Sequence, residues 1–335
     1  MLTGRGRPLA RVIALLLAST PAAAVGQGTL ASPRGRDELT RADSLLRVGR
    51  VEAAEALFYR EVRRRPRDPA ARLALGRYLA SRGATRPGAI LIEEARFFGA
   101  NAVVAAVHLA PLYARLGDYK ALALLPSAPL SASERARAEF LARNPPAAVG
   151  PESTTVSLMP PQTNASPSFG TVHLLIGRDT VVAEIDPSAR GLVLDTARAR
   201  SMGVRVFTAE AADVQAGTPA IPAAVDRARL GPFSFTNLPA SLQVLGSPTR
   251  ALIGLDLLAR FAPTFRPAEG RVVLRRSGKL PRLLPGQRVP FVLEPSAAWV
   301  VWHGRPEPLD GEQVVSRLQG GRWTLDGKRG EIVLQ

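Results

Sequence analysis

Cysteine is absent from this sequence of 335 residues, and histidine is rare. Without cysteine, the chain forms no disulfide bond, no thiolate metal site and no lipid-modified cysteine. The three histidines, His108, His173 and His303, lie far apart in the sequence, and their spacing supports neither a metal site nor a Ser-His-Asp arrangement. We therefore expect no metal ion and no other cofactor.

Lysine is also scarce, although the chain is strongly basic. Lys and Arg number 44 against 28 Asp and Glu, which gives a net charge of +16, and only three of the basic residues are lysines. The arginines are scattered through the sequence, with no compact run beyond residues 63–65 and no aromatic residues interleaved. Nucleic-acid-binding domains concentrate their basic residues on one surface, so we expect no nucleic acid partner.

Long hydrophobic runs are missing as well. The apolar segment at residues 12–18 is much shorter than the roughly 20 residues that span a bilayer. It follows Arg5, Arg7 and Arg11 and precedes three alanines at residues 22–24, which is the pattern of a cleavable export signal. We interpret residues 1–24 as a signal peptide and expect a periplasmic or secreted protein with no integral membrane segment after signal removal.

Residues 38–143 show helical periodicity and an internal repeat. Gly49, Gly83 and Gly117 are spaced 34 residues apart, the period of tetratricopeptide repeats, and Ala54 and Ala95 occupy the small-residue positions of that pattern. The resemblance implies paired helices with a left-handed glycine between them and a concave surface for a protein or peptide partner. Arginines on that surface would suit an acidic segment or a C-terminal carboxylate. An unrelated helical bundle stays open as the alternative.

A Pro-rich segment at residues 144–153 is typical of a linker, and β structure is predicted beyond it. Residues 172–176 and 180–185 alternate or are largely β-branched and flank a Gly-Arg-Asp turn, which predicts a hairpin. The second strand runs into Asp186, followed by a turn of Pro187, Ser188 and Ala189. This carboxylate is therefore expected at a rigid strand end close to solvent.

The residues around Asp186 resemble those of the retropepsin-like aspartic peptidases. That family places an apolar strand, Asp-Thr-Gly-Ala, a second strand and a short helix ending in Leu-Gly in this order, and Gly203 falls 17 residues after Asp186 as the pattern requires. Downstream, Ile253 and Gly254 match the family's supporting apolar-Gly segment, and residues 264–274 resemble its closing hairpin. The resemblance covers residues 154–276 and implies a closed β barrel, a flap near Gly217, and a catalytic Asp186 that pairs with its counterpart in a homodimer.

The catalytic loop departs from the family. Asp186-Pro187-Ser188 stands where the family has Asp-Thr-Gly, so the threonine hydroxyl and backbone N–H that tie two such loops together are both missing. Ser188 also brings a Cβ into the space that the glycine leaves open. Asp195-Thr196-Ala197 is a second Asp-Thr sequence, but Gly203 follows it too closely, and Asp195 is better interpreted as the N-cap of a helix at residues 196–202.

Residues 277–335 lie beyond the resemblance and contain no second Asp-Thr-Gly-like loop. We interpret them as a β extension of unknown role, with a strand at residues 287–293 confined to a sheet edge by Pro290 and a final hairpin turning near Asp326 and Gly327. The predicted fold class is multidomain α + β: a tetratricopeptide-like helical array, a retropepsin-like closed barrel and this extension.

Two functions remain open from the sequence. The first is a binding or assembly module whose peptidase loop has degenerated, with Pro187 and Ser188 as its signature. The second is an active homodimeric aspartic endopeptidase in which two Asp186 side chains share one proton and activate water. The departures at Pro187 and Ser188 touch the site directly and favour the first.

Overall fold

A computed structural model of the chain describes residues 33–126, 130–161, 168–199, 201–207, 220–245, 250–281, 284–294 and 298–335. The predicted signal peptide and the flap position Gly217 lie outside the described residues. The helices and strands that follow all belong to one compact unit, Ala31–Gln335. No helix within the described ranges is both long enough and apolar enough to cross a membrane.

Seven helices form the first part of the described chain. They are α1 (Pro33–Arg47), α2 (Val51–Arg64), α3 (Pro69–Ser81), α4 (Thr85–Phe97), α5 (Ala102–Leu116), α6 (Tyr119–Leu124) and α7 (Ala132–Arg143). Polar side chains set several of their starts, since Asp68 and Asn101 accept hydrogen bonds from the first free N–H groups of α3 and α5. Ser131 and Glu134 form a capping box at the start of α7.

The three repeat glycines connect helices in pairs. Gly49 lies between α1 and α2, Gly83 between α3 and α4, and Gly117 between α5 and α6, with φ angles of +80°, +81° and +72°. The prediction of a left-handed residue at each turn is therefore confirmed. Ala54 and Ala95 are fully buried, as expected of close helix contacts. The relation to tetratricopeptide repeats itself stays a prediction.

Six strands close into a barrel after the helices. In barrel order they are β8 (Phe233–Gln243), β5 (Leu192–Asp195), β9 (Ala251–Gly254), β4 (Asp179–Asp186), β3 (Thr171–Ile176) and β7 (Ile221–Leu230), and β7 pairs again with β8. Two of the pairings, β4 with β9 and β5 with β8, are parallel, and the others are antiparallel. The predicted closed β barrel is confirmed, and so is the hairpin that ends at Asp186.

Two short strands and a helix complete the barrel region. Strand β1 (Ala147–Val149) lies inside the segment predicted as a linker and pairs with β8, and β6 (Val204–Val206) pairs with β7. The predicted helix after Asp195 is shorter than expected: α8 spans Thr196–Ala199. Asp195 accepts a hydrogen bond from the N–H of Ala197 at 3.1 Å, as an N-cap should.

A second sheet joins the closing hairpin to the C-terminal residues. Its eight strands run in the order β14 (Arg305–Pro308), β13 (Ala298–Trp302), β12 (Gln287–Leu293), β16 (Glu331–Leu334), β15 (Trp323–Asp326), β10 (Thr264–Arg266), β11 (Arg271–Arg275) and β2 (Ser153–Ser157). The predicted final hairpin is β15–β16. Helix α9 (Leu255–Leu258) follows β9, and the buried residues of α10 (Glu312–Gln319) belong to the hydrophobic core that contains residues of both sheets.

The prediction that Pro290 confines its strand to a sheet edge is wrong. Strand β12 lies between two neighbours, pairing with β16 through residues 287–290 and with β13 through residues 291–293. Pro290 is the last residue of β12 that pairs with β16, and pairing with β13 begins at the next residue. No hydrogen bond to β13 therefore requires the N–H that proline lacks.

The helices dock directly on the second sheet. Gly83 packs so closely against the β15–β16 turn that a Cβ at this position would lie 1.9 Å from the carbonyl oxygen of Gly327. Beside it, the Arg82 guanidinium donates hydrogen bonds to the carbonyl oxygens of Phe291 and Gly330. Val301 of β13 is buried in the hydrophobic cluster of α1 to α3. The helical and β parts therefore share a packed interface.

Candidate functional site

The parallel pairing of β4 with β9 brings the predicted site residues together. Asp186 lies opposite Gly254, and Ile185 lies opposite Ile253 in the same register. The Gly254 N–H donates to the carbonyl oxygen of Gly191 at 2.7 Å, which ties the end of β9 to the loop after Asp186. Ile253 and Gly254 thus lie beside the Asp186 loop on the neighbouring strand, and their supporting role in catalysis stays a prediction.

The Asp186 carboxylate is held by its own loop. Its Oδ1 atom accepts hydrogen bonds from the Ser188 N–H at 2.7 Å, from the Ser188 hydroxyl at 2.6 Å and from the Ala189 N–H at 3.3 Å. Only 8% of Asp186 is exposed. All hydrogen bonds to this carboxylate that come from described residues end on Oδ1, so the side chain stabilises the turn as an Asx-type motif does.

Pro187 and Ser188 change what the loop can offer to a second chain. Pro187 has no N–H and no hydroxyl, and its carbonyl oxygen accepts a hydrogen bond from the Arg190 guanidinium at 3.4 Å. The Ser188 hydroxyl is turned inward to Asp186, although the residue itself is exposed. The hydrogen bonds of Pro187 and Ser188 named here therefore all stay within this loop.

Asp256 is a neighbour of the Asp186 loop that the sequence reasoning missed. Its Oδ1 accepts from the Gly191 N–H at 2.8 Å and from the Leu257 N–H at 2.9 Å, so it braces the far end of the Asp186 loop. Gly254 has no room for a side chain, because a Cβ there would lie 2.4 Å from the Ala189 carbonyl oxygen and 2.5 Å from Asp256 Oδ1. The available signal was an acid two residues after a strand-ending glycine, at the first turn of a helix.

A cavity of about 510 Å³ lies beside this loop assembly, between the helices, the α9 region and the second sheet. Asp256 and Arg260 border it from the α9 region, Arg115 from the end of α5, and Arg86 from the start of α4. Lys328 of the β15–β16 turn completes its charged lining. This cavity could not be predicted from the sequence, because its walls come from segments that are far apart in the chain.

Arg115 is the least solvated of these cations. Burial lowers the pKa of its guanidinium from the ordinary value, the negative charge of Asp256 opposes that effect, and the positive charge of Arg190 adds to it. The helical array therefore extends a positive charge to within electrostatic range of the Asp186 loop, since Arg190 belongs to that loop. Arg115 forms no hydrogen bond or ion pair with another described residue.

This chain is similar to a known structure at low sequence identity. No protein-family model matches it, and no curated protein matches it. It shows similarity to a solved structure described as the crystal structure of a retropepsin-like aspartic protease from Rickettsia conorii. The two are 16% identical, the match covers 38% of this chain and 90% of that chain, and the TM-score is 0.27. The closed barrel is assigned from the strand pairing above rather than from this similarity.

Proposed function

We propose that this chain is an exported binding or assembly module, built on a retropepsin-like barrel whose catalytic loop no longer supports peptidase chemistry. The observation that carries the proposal is the hydrogen bonding of Asp186. Its Oδ1 atom takes three hydrogen bonds from Ser188 and Ala189, and one of these comes from a hydroxyl that the family's glycine could not supply. The carboxylate is used to stabilise its own turn.

Peptidase chemistry of this kind needs two carboxylates that share one proton. They must be held about 3 Å apart, because only then does repulsion keep one of them protonated. Pro187 lacks the donor and the hydroxyl that would fix that separation between two chains, and a misplacement of about 1 Å costs roughly 100-fold in rate. The loop therefore favours binding over catalysis.

An active homodimeric endopeptidase is the second candidate, and one observation favours it. Asp186 is still at the end of β4, in register with Gly254 of the neighbouring strand, which is the support that the family resemblance implies. In this alternative, Asp186 of each chain would activate water across a two-fold axis.

A peptidase assay separates the two candidates. The purified chain is incubated with unfolded casein and a quenched fluorescent peptide library at acidic and neutral pH, beside its Asp186→Asn variant. Asp179→Asn is the matched control, because Asp179 is an exposed acid at the other end of the same strand. We expect no cleavage by the unmodified chain above the Asp186→Asn background, and a gain of activity in the double variant Pro187→Thr, Ser188→Gly.

The outcome that establishes the peptidase is equally definite. Robust cleavage by the unmodified chain that persists in Asp179→Asn and disappears in Asp186→Asn would overturn the binding proposal. Thermal unfolding of each variant, measured in parallel, separates a lost reaction from a lost fold.

A further inference from the structure

Four cations line the cavity beside the Asp186 loop, and three of them have no partner among the residues that the structure describes. Arg86, Arg115 and Arg260 donate no hydrogen bond and form no ion pair with any residue in the described part of the chain. Lys328 donates one hydrogen bond, to the carbonyl oxygen of Ser277 at 2.9 Å. Against these four positive side chains the lining contains one acid, Asp256.

Arg115 also borders a second, smaller cavity. That cavity has a volume of about 280 Å³ and shares Ala80, Ser81, Arg115 and Leu293 with the first. Residues of α1, α3 and α5 line it, and its charged lining consists of Asp43, Glu294, Arg77 and Arg115. Arg115 therefore borders two cavities, one among the helices and one between the helices, the α9 region and the second sheet.

An unpaired arginine in this setting is costly. A charge that is partly removed from water destabilises the folded state unless an opposite charge or hydrogen-bond acceptors compensate for it. Asp256 lies within electrostatic range of Arg115, but its Oδ1 already accepts two backbone N–H groups of the loop. The N–H groups of the Arg115 guanidinium are therefore available to donate hydrogen bonds to a ligand in the cavity.

The rest of the lining indicates the kind of molecule that carries this acceptor. The cavity walls include Pro87, Leu116, Phe291 and Leu293, so apolar side chains would be accommodated beside the charges. Its volume of about 510 Å³ lies within the 300–1,000 Å³ that is typical of ligand pockets. Phe291 is its sole aromatic lining residue in the part of the chain that the structure describes, and base stacking normally uses several aromatic rings.

We propose that this cavity binds an acidic peptide segment, with a carboxylate of the peptide paired to Arg115 and apolar side chains against Leu116 and Leu293. Guanidinium and carboxylate groups pair through two parallel hydrogen bonds, which gives the contact both strength and orientation. The inference rests on the proposed function, because it identifies the ligand class of a module that binds instead of cleaving.

Calorimetric titration of the full chain tests the inference. The probe is a short synthetic peptide of alternating Leu and Glu, and its counterpart of alternating Leu and Gln has the same shape without the charge. We expect the Glu peptide to bind and the Gln peptide to bind at least tenfold more weakly, because the charged hydrogen bonds are lost. Arg115→Gln should weaken binding of the Glu peptide tenfold or more, and Arg115→Lys should weaken it less.

A matched variant controls for overall charge. Arg229→Gln removes one equally positive side chain from an exposed position of β7, away from the cavity, and should leave the affinity unchanged. Equal weakening by Arg229→Gln and Arg115→Gln would overturn the inference, and so would equal affinity for the two peptides. If Arg115→Gln unfolds, Arg260→Gln at the exposed rim replaces it in the same comparison.

Three further outcomes distinguish the possible failures. Displacement of the Glu peptide by inorganic phosphate at similar concentration would overturn the peptide assignment, because the site would then bind small anions. Absence of peptide binding together with absence of cleavage refutes this inference and leaves the non-catalytic function standing. Cleavage that depends on Asp186 refutes the proposed function, whatever the peptide binding shows.

Discussion

Replacing Gly83 with alanine tests the docking of the helices on the second sheet. Gly83 has a φ of +81°, and a Cβ at this position would lie 1.9 Å from the carbonyl oxygen of Gly327. The matched control is Gly117→Ala, because Gly117 occupies the equivalent turn one repeat later, has a φ of +72°, and would place its Cβ in open space. Both substitutions thus force an alanine into the left-handed region, but only Gly83→Ala places a Cβ against another backbone segment.

The expected magnitudes follow from these two terms. An alanine in the left-handed region costs about 1–2 kcal/mol, and both variants incur that cost. The collision with Gly327 must be relieved by moving one backbone segment away from the other, and overpacking of this kind adds about 1–3 kcal/mol. We therefore expect Gly83→Ala to lower the free energy of unfolding by about 2 kcal/mol more than Gly117→Ala does.

Urea unfolding followed by tryptophan fluorescence is the suitable assay. The three tryptophans, Trp299, Trp302 and Trp323, all belong to strands of the second sheet, so their emission reports on the surface that the helices contact. Hydrogen exchange at the β15–β16 turn should be faster in Gly83→Ala and unchanged in Gly117→Ala. Equal destabilisation by the two substitutions would refute the docked arrangement.

Two further predictions concern the loop and the predicted signal. Gly254→Ala should displace the Asp186 loop, because its Cβ would lie 2.4 Å from the Ala189 carbonyl oxygen. We expect the free energy of unfolding to fall by about 1–3 kcal/mol, as measured by thermal or urea unfolding. An unchanged unfolding midpoint would contradict the close packing. Cleavage near Ala24 should produce a mature protein outside the cytoplasm, which mass spectrometry of the native N-terminus can check. An intact N-terminus on cytoplasmic protein would contradict export.

Turns, hairpins and helix caps could be predicted from the sequence, because each depends on residues that are close together in the chain. The hairpin that delivers Asp186 was predicted because its strands alternate and its turn contains glycine, and the structure forms it as β3 and β4. The helix turns were predicted because Gly49, Gly83 and Gly117 supply left-handed backbone at a fixed period. Asp195 was assigned as a helix N-cap for the same kind of reason.

Features that depend on distant residues could not be predicted in this way. Arg115 looks like any other helix-end arginine in the sequence, and its significance comes from Asp256 and Arg190, which approach it only in the folded chain. Pro290 was assigned to an edge because a proline lacks one donor, but the strand avoids needing that donor by changing partners at this residue. Helix α10 is eight residues long, too short for its periodicity to stand out.

The joining of the second sheet has a consequence for the order in which the molecule folds. Strand β10 pairs with β15, and the Thr264 and Thr324 hydroxyls that meet between them are separated by 60 residues. Arg82 and Phe291, which join the helices to the same sheet, are 209 residues apart. Contacts of such long range form slowly, because the intervening chain must lose its conformational freedom before they can stabilise it. Until β15 arrives, β10 presents an unpaired edge, so the newly made chain is most prone to aggregation just before its last strands are in place.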